Sequence, residues 1–402
     1  MNSRLMGGIF LICGTSIGTG ILGVPSITAE SGLLNSLFLF VICWLFSTLA
    51  ALYYMEAHLW QQSPQSNLLS MSEYFFGKIV KSAVWVVYLG LLYSLMCTYL
   101  LAGSSWIIEV LTVYTPIHLT RVWGMFVFIL MIGLFIFFGI RVVDRVNRFM
   151  SLGLAVSFVL ILALILPTAN TTILFDKVGE WSAMPGALPL LITAFGYSII
   201  VPSLDAYFDK KAHLLQKAII LGSLLTLGVY ILWEFGTFGN IPSEGDHSLS
   251  FIAQSKDNGT EVANALIYFS KNRFLGALLT VFAVFAVVTS FLGVSMALYH
   301  ALADGFKMDA HGPSGVLLLL MTYIPSMLFL FFFPTGFSQI LSFAGGLVSL
   351  LMGVLPVMMV WRGRYVRQYT GYRVLGGKIA LGITGLFFVF VKIAELWRIF
   401  AH

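Results

Sequence analysis

Charge is scarce in this chain. Asp, Glu, Lys and Arg together make up 10% of its 402 residues, against roughly 25% in a typical soluble domain. Hydrophobic residues make up 59%. A water-soluble fold cannot hide that much apolar surface behind so few charges. A soluble enzyme and a disordered chain are therefore excluded. Cysteine is scarce as well. Cys13, Cys43 and Cys97 sit in apolar runs with no C-x-x-C spacing and no histidine at metal-ligand spacing. That removes a disulfide scaffold and reads the three as buried, reduced small hydrophobes. Catalytic motifs are missing too: the sequence holds no H-E-x-x-H, no G-x-S-x-G and no Walker loop, so no ATP site drives anything directly. No pore-filter signature or charged ring suggests a channel.

What the chain has is long apolar runs. Spans are expected near 6–29, 35–60, 82–110, 121–140, 146–167, 185–207, 217–239, 273–303, 313–333, 338–361 and 375–398, eleven in number. Each approaches the roughly 20 residues that a membrane helix needs, and none shows the ten-residue alternation of a barrel strand. The fold class is all-α integral membrane, read as one domain over 1–402. The start of the chain does not read as a removable signal: Arg4 is followed by no A-x-A site, and its apolar stretch runs on into a glycine-rich motif. The net charge of +5 is explained by topology rather than by nucleic acid. With the N-terminus inside, Lys78, Lys81, the Arg141–Arg148 cluster, Lys210, Lys211 and the Arg362–Lys378 cluster all fall inside, as the positive-inside rule requires. An odd number of spans then puts the C-terminus outside, together with a long loop over 240–272. Residues Ser70–Lys81 read as a short interfacial helix.

Two of the spans are interrupted in matching places. The first reads Gly14-Thr15-Ser16-Ile17-Gly18-Thr19-Gly20-Ile21-Leu22-Gly23-Val24-Pro25, with four glycines and a proline that weaken a helix strongly. The sixth runs from Pro185 through Thr193-Ala194-Phe195-Gly196-Tyr197-Ser198 to Pro202. They lie five spans apart, and five is odd, so a second unit of five inserts with opposite topology. Paired breaks of this kind point to a transporter site between inverted repeats. The repeats fall at about 6–167 and 185–361, with 375–398 as an extra helix. Unwound backbone in lipid costs several kcal/mol per unsatisfied group, so it persists where it lines a cavity. There, N–H groups at a half-helix start bind a carboxylate and carbonyls at a half-helix end bind an ammonium or a cation. An amino acid zwitterion carries both charges. Close helix packing through small residues is the alternative account of the glycines.

At these residues the sequence resembles the hydroxy/aromatic amino acid permease family of the amino acid-polyamine-organocation superfamily. The resemblance is carried by Gly14–Pro25, Val143–Phe149, Phe195–Ser203, Thr289–Val294, Leu302–Asp304, Phe333–Phe337 and Gly371–Gly377. It implies a LeuT-type 5+5 inverted-repeat fold of eleven helices with helices 1 and 6 interrupted. It implies an ion-coupled symporter in the bacterial inner membrane that imports tyrosine, tryptophan or phenylalanine, with tyrosine foremost. A neutral amino acid permease with another side-chain preference, or a transporter-like sensor, remains as the alternative. The run Ala194-Phe195-Gly196-Tyr197-Ser198 departs from the Ser-Phe-Gly-Phe-His pattern associated with a tyrosine permease.

On this reading the substrate carboxylate meets Thr19 and Gly20, and its ammonium meets carbonyls at Ser16 and over Thr193, Ala194 and Phe195. Phe195, Tyr197 and Tyr93 are the expected aromatic neighbours of the side chain. The resemblance also implies a sodium site formed by carbonyls of Gly14, Ile17 and Ala286 with the hydroxyls of Thr289 and Ser290, since hard oxygen ligands suit such a cation. Hydroxyls bonded back to their own helix are the alternative for that pair. Glu234 and Glu56 are candidate proton carriers, because charge inside a membrane is expensive, although Glu56 also reads as an ion-paired residue near the interface. Asp144 and Asp205 are candidates for an inner gate. The implied partners are the amino acid and membrane lipid, with no nucleic acid and no obligate protein partner. No cofactor is implied beyond the coupling ion, H⁺ or Na⁺.

Overall fold

A computed structural model describes residues 3–18, 20–61, 67–114, 116, 118–136, 140–175, 179–255, 258–308, 312–333 and 336–401. Every regular element among them is helical, and nine helices are long and apolar enough to cross a membrane. This differs from the eleven expected, for two physical reasons. The second half of the expected first span, Gly20–Thr28, runs through one 3₁₀ turn at Ala29–Ser31 into Gly32–Gln61, so the two read as one continuous apolar stretch, Gly20–Gln61. The turn is made at Gly32, whose φ of +69° is open to glycine at little cost. The remaining short pieces, Arg4–Ser16 and Arg121–Ile132, are apolar but below spanning length. The expected outer loop over 240–272 also differs, because it holds two helices, Leu249–Gln254 and Asn258–Ser270. Leu249, Ile252, Val262, Ala265 and Leu266 are buried there, at spacings that suit helices rather than an open loop. The expected interfacial helix is Leu68–Phe76, entered through a capping box in which Asn67 and Ser70 satisfy each other's backbone. Glu73 on this helix meets Lys81 at 2.5 Å. That hydrogen bond holds its carboxyl below the ordinary carboxylate range.

The chain forms two compact units. The first comprises Met1–Tyr88, Leu174–Phe235 and Ser342–His402. Its core is aromatic, with Phe40, Tyr53, Tyr54, Phe195, Tyr197, Tyr230 and Trp233 fully buried. Helices approach closely where a side chain is missing: a Cβ on Gly345 would strike the Pro189 carbonyl and lie 2.7 Å from the Thr193 hydroxyl. Arg364 and Glu56 form a buried charged pair in this unit. Arg364 Nε donates to Glu56 Oε1 at 2.6 Å, and the same guanidinium reaches Glu56 Oε2. The Val374 N–H donates to Glu56 at 2.8 Å, and the Val374 carbonyl accepts from Arg364 at 2.8 Å. The charges thus satisfy each other and the Val374 backbone, and the guanidinium also lies 5.9 Å from the centre of the Tyr53 ring, the kind of pairing under which buried charge is tolerated. It pins the chain that follows residue 366 onto the Gly32–Gln61 helix.

The second unit comprises Leu89–Ile173 and Gly236–Leu341. Its centre is the Arg273–Phe306 helix packed along Ile140–Ile165. Phe158 and Phe282 face each other there, with ring centroids 5.5 Å apart. Phe291 meets Phe128 edge-on at 4.8 Å and stacks on Tyr323 at 5.7 Å, arrangements that add to area burial. Tyr323 then donates to the Gly133 carbonyl at 3.2 Å.

Candidate functional site

The two interrupted helices lie in the first unit. Ser3–Ser16 ends at a bend over Ile17 and Gly18, and the helix resumes at Gly20. Gly18 N–H turns back to the Ser16 carbonyl at 3.0 Å, a contact too short in sequence for an α-helix. Thr19 lies outside the described residues. The resumed helix leaves its first N–H groups without intrahelical acceptors, as every helix start does. A Cβ on Gly20 would meet no described atom within 4 Å.

The sixth span breaks in the same manner. Met184–Ala194 ends, Phe195 and Gly196 form a turn, a 3₁₀ turn covers Tyr197–Ile200, and Val201–Tyr207 continues. Pro202 sits in the first turn of that last helix, where its missing N–H is harmless. The Gly196 N–H donates to the Thr193 carbonyl at 3.0 Å, and a Cβ on Gly196 would sit 2.9 Å from that same oxygen. Close approach, rather than an unusual φ, therefore selects glycine here.

One hydroxyl joins the two breaks. Tyr230 Oη donates to the Ser16 carbonyl at 3.0 Å and lies 3.4 Å from the Ala194 carbonyl. These are the last helical residues before each interruption. The Tyr230 ring packs against Phe195, with centroids 5.3 Å apart. Two helix ends, each carrying partial negative charge on its free carbonyls, thus converge on one proton donor.

Around this point the other expected residues take different places. Ser16 is buried and its hydroxyl bonds back to the Ile12 carbonyl at 3.1 Å. Thr193 is half-buried and bonds back to Pro189 at 3.2 Å. Phe195 and Tyr197 are fully buried, so neither presents a ring face in this conformation. Tyr197 Oη lies 3.0 Å from Thr48, which donates to Ser223 at 3.1 Å. Trp44 donates to the same Ser223 hydroxyl at 3.1 Å. Glu234 is wholly buried and accepts from the Thr28 hydroxyl at 2.5 Å. Glu56 is the member paired with Arg364. Asp205 meets His58 Nε2 at 3.1 Å with both side chains buried, and Arg4 pairs with Asp209. Both pairs fasten elements of this same unit. The side chain of Asp144 lies outside the described residues.

The remaining members belong to the second unit. Tyr93 is half-buried, and its hydroxyl donates to the Met321 carbonyl at 2.8 Å. Ala286 is fully buried, while Thr289 and Ser290 are half-buried. The Thr289 hydroxyl donates to the carbonyls of Phe285 at 2.7 Å and Ala286 at 3.2 Å, the back-bonding geometry of a helical threonine. Gly14 and Ile17 are in the first unit and Ala286, Thr289 and Ser290 in the second.

Sequence reading missed Tyr230, Thr48, Ser223 and Thr28. A signal for two of them was present. Ser223, Thr226, Tyr230 and Glu234 recur at steps of three and four residues, which places them on one face of a helix. All four are fully buried. A polar stripe in an otherwise apolar span faces protein rather than lipid, and here it faces the breaks.

The tryptophan/tyrosine permease family model matches residues 1–395. The chain is 27% identical over 381 residues to a tyrosine-specific transport system 2 of Haemophilus influenzae, covering 95% of this chain and 93% of the relative. It is 30% identical over 404 residues to a tryptophan-specific transport protein of Pseudomonas aeruginosa, covering 98% and 94%. It is also 27% identical over 406 residues to a glutamine transporter 2 of Aliivibrio fischeri, covering 98% and 100%.

Proposed function

We propose that this chain, which belongs to the tryptophan/tyrosine permease family, is a secondary active transporter that imports an aromatic amino acid, tyrosine foremost. That it is a transporter rather than an enzyme follows from the family and the named relatives. The finer reading is symport with H⁺ or Na⁺ by alternating access, in a LeuT-type 5+5 fold of eleven spans. Counting Arg4–Ser16 with Gly20–Thr28 as one interrupted span, and Arg121–Ile132 as a short one, gives that number. The repeats are 6–167 and 185–361, and 375–398 is the addition. The location is the inner membrane of a bacterium, with the N-terminus inside and the C-terminus outside.

The observation that carries the reading is the convergence of the Ser16 and Ala194 carbonyls on Tyr230. An α-ammonium is a second, stronger donor for the same helix ends. The carboxylate then takes the N–H groups at Thr19 and Gly20, where the resumed helix begins. Phe195 and Tyr197 hold the sixth-span turn in place, and Tyr93 is fastened within the second unit through the Met321 carbonyl. If sodium is the coupling ion, its ligands are those that the resemblance implies; if it is not, Glu234 carries the proton. Glu56 is assigned to the ion pair with Arg364. Spans one, two and six and most of seven share one compact unit, together with Ser342–His402, which supports a moving bundle that includes them.

A second reading has its own support. The glutamine transporter among the relatives makes a polar neutral amino acid the competing substrate. A competition assay separates the two. Cells expressing the chain take up radiolabelled tyrosine in the presence of excess unlabelled tyrosine, tryptophan, phenylalanine or glutamine. Inhibition by the three aromatic amino acids and not by glutamine is expected. No carrier-dependent uptake of tyrosine, with saturable uptake of radiolabelled glutamine in its place, would replace the aromatic reading with the competing one.

A further inference from the structure

The end of the Gln339–Val366 span holds a feature with no part in the reading above. A groove of about 720 Å³ runs between this span and the Gly377–Ala401 helix, with Phe76 in its lining. Its walls are apolar, with Val357, Trp361, Leu381, Leu386 and Val389 among them. Its floor is low because two glycines stand on the Gly377–Ala401 helix. A Cβ on Gly382 would meet no described atom within 4 Å, and one on Gly385 would touch only Val357 Cγ1, at 3.3 Å. The groove lies within the first unit and is open along its length, since Leu386 is 71% exposed.

One cation stands in it. Arg362 lines the groove, its guanidinium 5.4 Å from the centre of the Phe76 ring. Its Nε is buried and has no hydrogen-bond partner among the described residues. The neighbouring charges are otherwise engaged. Arg364 is bound to Glu56. Arg367 donates to the Phe75 carbonyl and to Tyr369. Lys378 sits 4.9 Å over the Tyr365 ring. Glu73, the acid on the helix that carries Phe76, is taken by Lys81. A buried guanidinium N–H without an acceptor costs free energy until an acceptor arrives. The rigid fork of Arg fits a phosphate through paired hydrogen bonds. An apolar trough leading from that fork, between helices long and apolar enough to cross a membrane, has the chemistry of a headgroup joined to an acyl chain.

We propose that this groove binds one anionic phospholipid, with its phosphate on the Arg362 guanidinium and an acyl chain lying along Gly382 and Gly385. Charge complementarity selects the anionic headgroup, and the glycine notch gives the chain its bed. The site is independent of the transported substrate.

The test uses the full-length protein, purified in detergent and titrated with dioleoylphosphatidylglycerol or dioleoylphosphatidylcholine. Native mass spectrometry counts retained lipid, and the melting temperature records the stabilisation that binding confers. The wild type is expected to keep the glycerol lipid in preference and to gain melting temperature with it. Arg362→Gln should lower its retention about tenfold, to the level of the choline lipid. Gly382→Leu should lower retention of both lipids by filling the trough, and Leu386→Trp is the second filling variant should the first fail to fold. Equal retention by wild type and Arg362→Gln overturns the proposal. So does displacement of the lipid by millimolar inorganic phosphate, which would mark a plain anion site. A change of oligomeric state in Gly382→Leu, with lipid retention unaltered, would make the groove a contact between copies instead.

Discussion

Replacing Tyr230 by Phe removes one oxygen atom and leaves the ring that packs on Phe195. The loss is thus confined to the donor shared by the Ser16 and Ala194 carbonyls. A net hydrogen bond contributes about 0.5–1.5 kcal/mol. The second contact, at 3.4 Å, is long and adds little. Stability should therefore fall by about 1 kcal/mol, since the two buried carbonyls lose a donor. Substrate affinity responds to the same change, because the hydroxyl sets the separation of the two helix ends on which the ammonium is placed. About 1.4 kcal/mol corresponds to tenfold in a dissociation constant, so binding should weaken by about three- to tenfold. The assay is scintillation proximity binding of radiolabelled tyrosine to the purified protein, run beside its thermal unfolding. Affinity within twofold of wild type, at unchanged melting temperature, would refute the reasoning that this hydroxyl organises the breaks.

Other perturbations probe separate parts of the account. Glu56→Ala or Arg364→Ala leaves an uncompensated buried charge and should cost about 3–5 kcal/mol, read as a lower melting temperature; an unchanged value would contradict the pair's fastening role. Glu234→Gln keeps the hydrogen bond from Thr28 but cannot release a proton. It should abolish accumulation driven by a proton gradient while tyrosine exchange across the membrane persists, and continued proton-driven accumulation would remove Glu234 from coupling. Gly345→Leu forces a side chain into the Pro189 carbonyl and the Thr193 hydroxyl. Overpacking of this kind costs about 1–3 kcal/mol, so the yield of folded protein and the affinity for tyrosine should fall together.

The sequence disclosed composition-level features well and pairwise ones poorly, for physical reasons. The breaks at Ile17–Gly18 and Phe195–Gly196 were legible because glycine and proline act on the backbone locally, whatever the surroundings. The short helix expected over 70–81 was legible in part: the structure places it at Leu68–Phe76 and starts the next helix at Lys78. The number of spans was less so: the division expected between 29 and 35 coincides with the turn at Ala29–Ser31, but Arg4–Ser16 and Arg121–Ile132 fall short of spanning length. The helices within 240–272 were missed because acidic residues there read as loop. The ion pair of Glu56 with Arg364 joins residues 308 apart in sequence, and nothing local announces such a partner. Phe195 and Tyr197 were read as pocket rings from type alone, whereas burial is decided by neighbours such as Tyr230 and Thr48. The polar stripe on the Ala212–Phe238 helix is the instructive omission, since its spacing was visible and its residues were weighed one at a time.

The central claim is ion-coupled uptake of an aromatic amino acid, and reconstitution tests it most directly. The purified protein in liposomes is offered radiolabelled tyrosine under an imposed proton gradient or an imposed sodium gradient, one at a time. The account predicts accumulation above equilibrium under one of them. Sodium dependence that is lost in Thr289→Ala would assign coupling to the hydroxyl pair, and proton dependence that is lost in Glu234→Gln would assign it to the carboxylate. No accumulation of tyrosine, tryptophan or phenylalanine under either gradient would contradict the account.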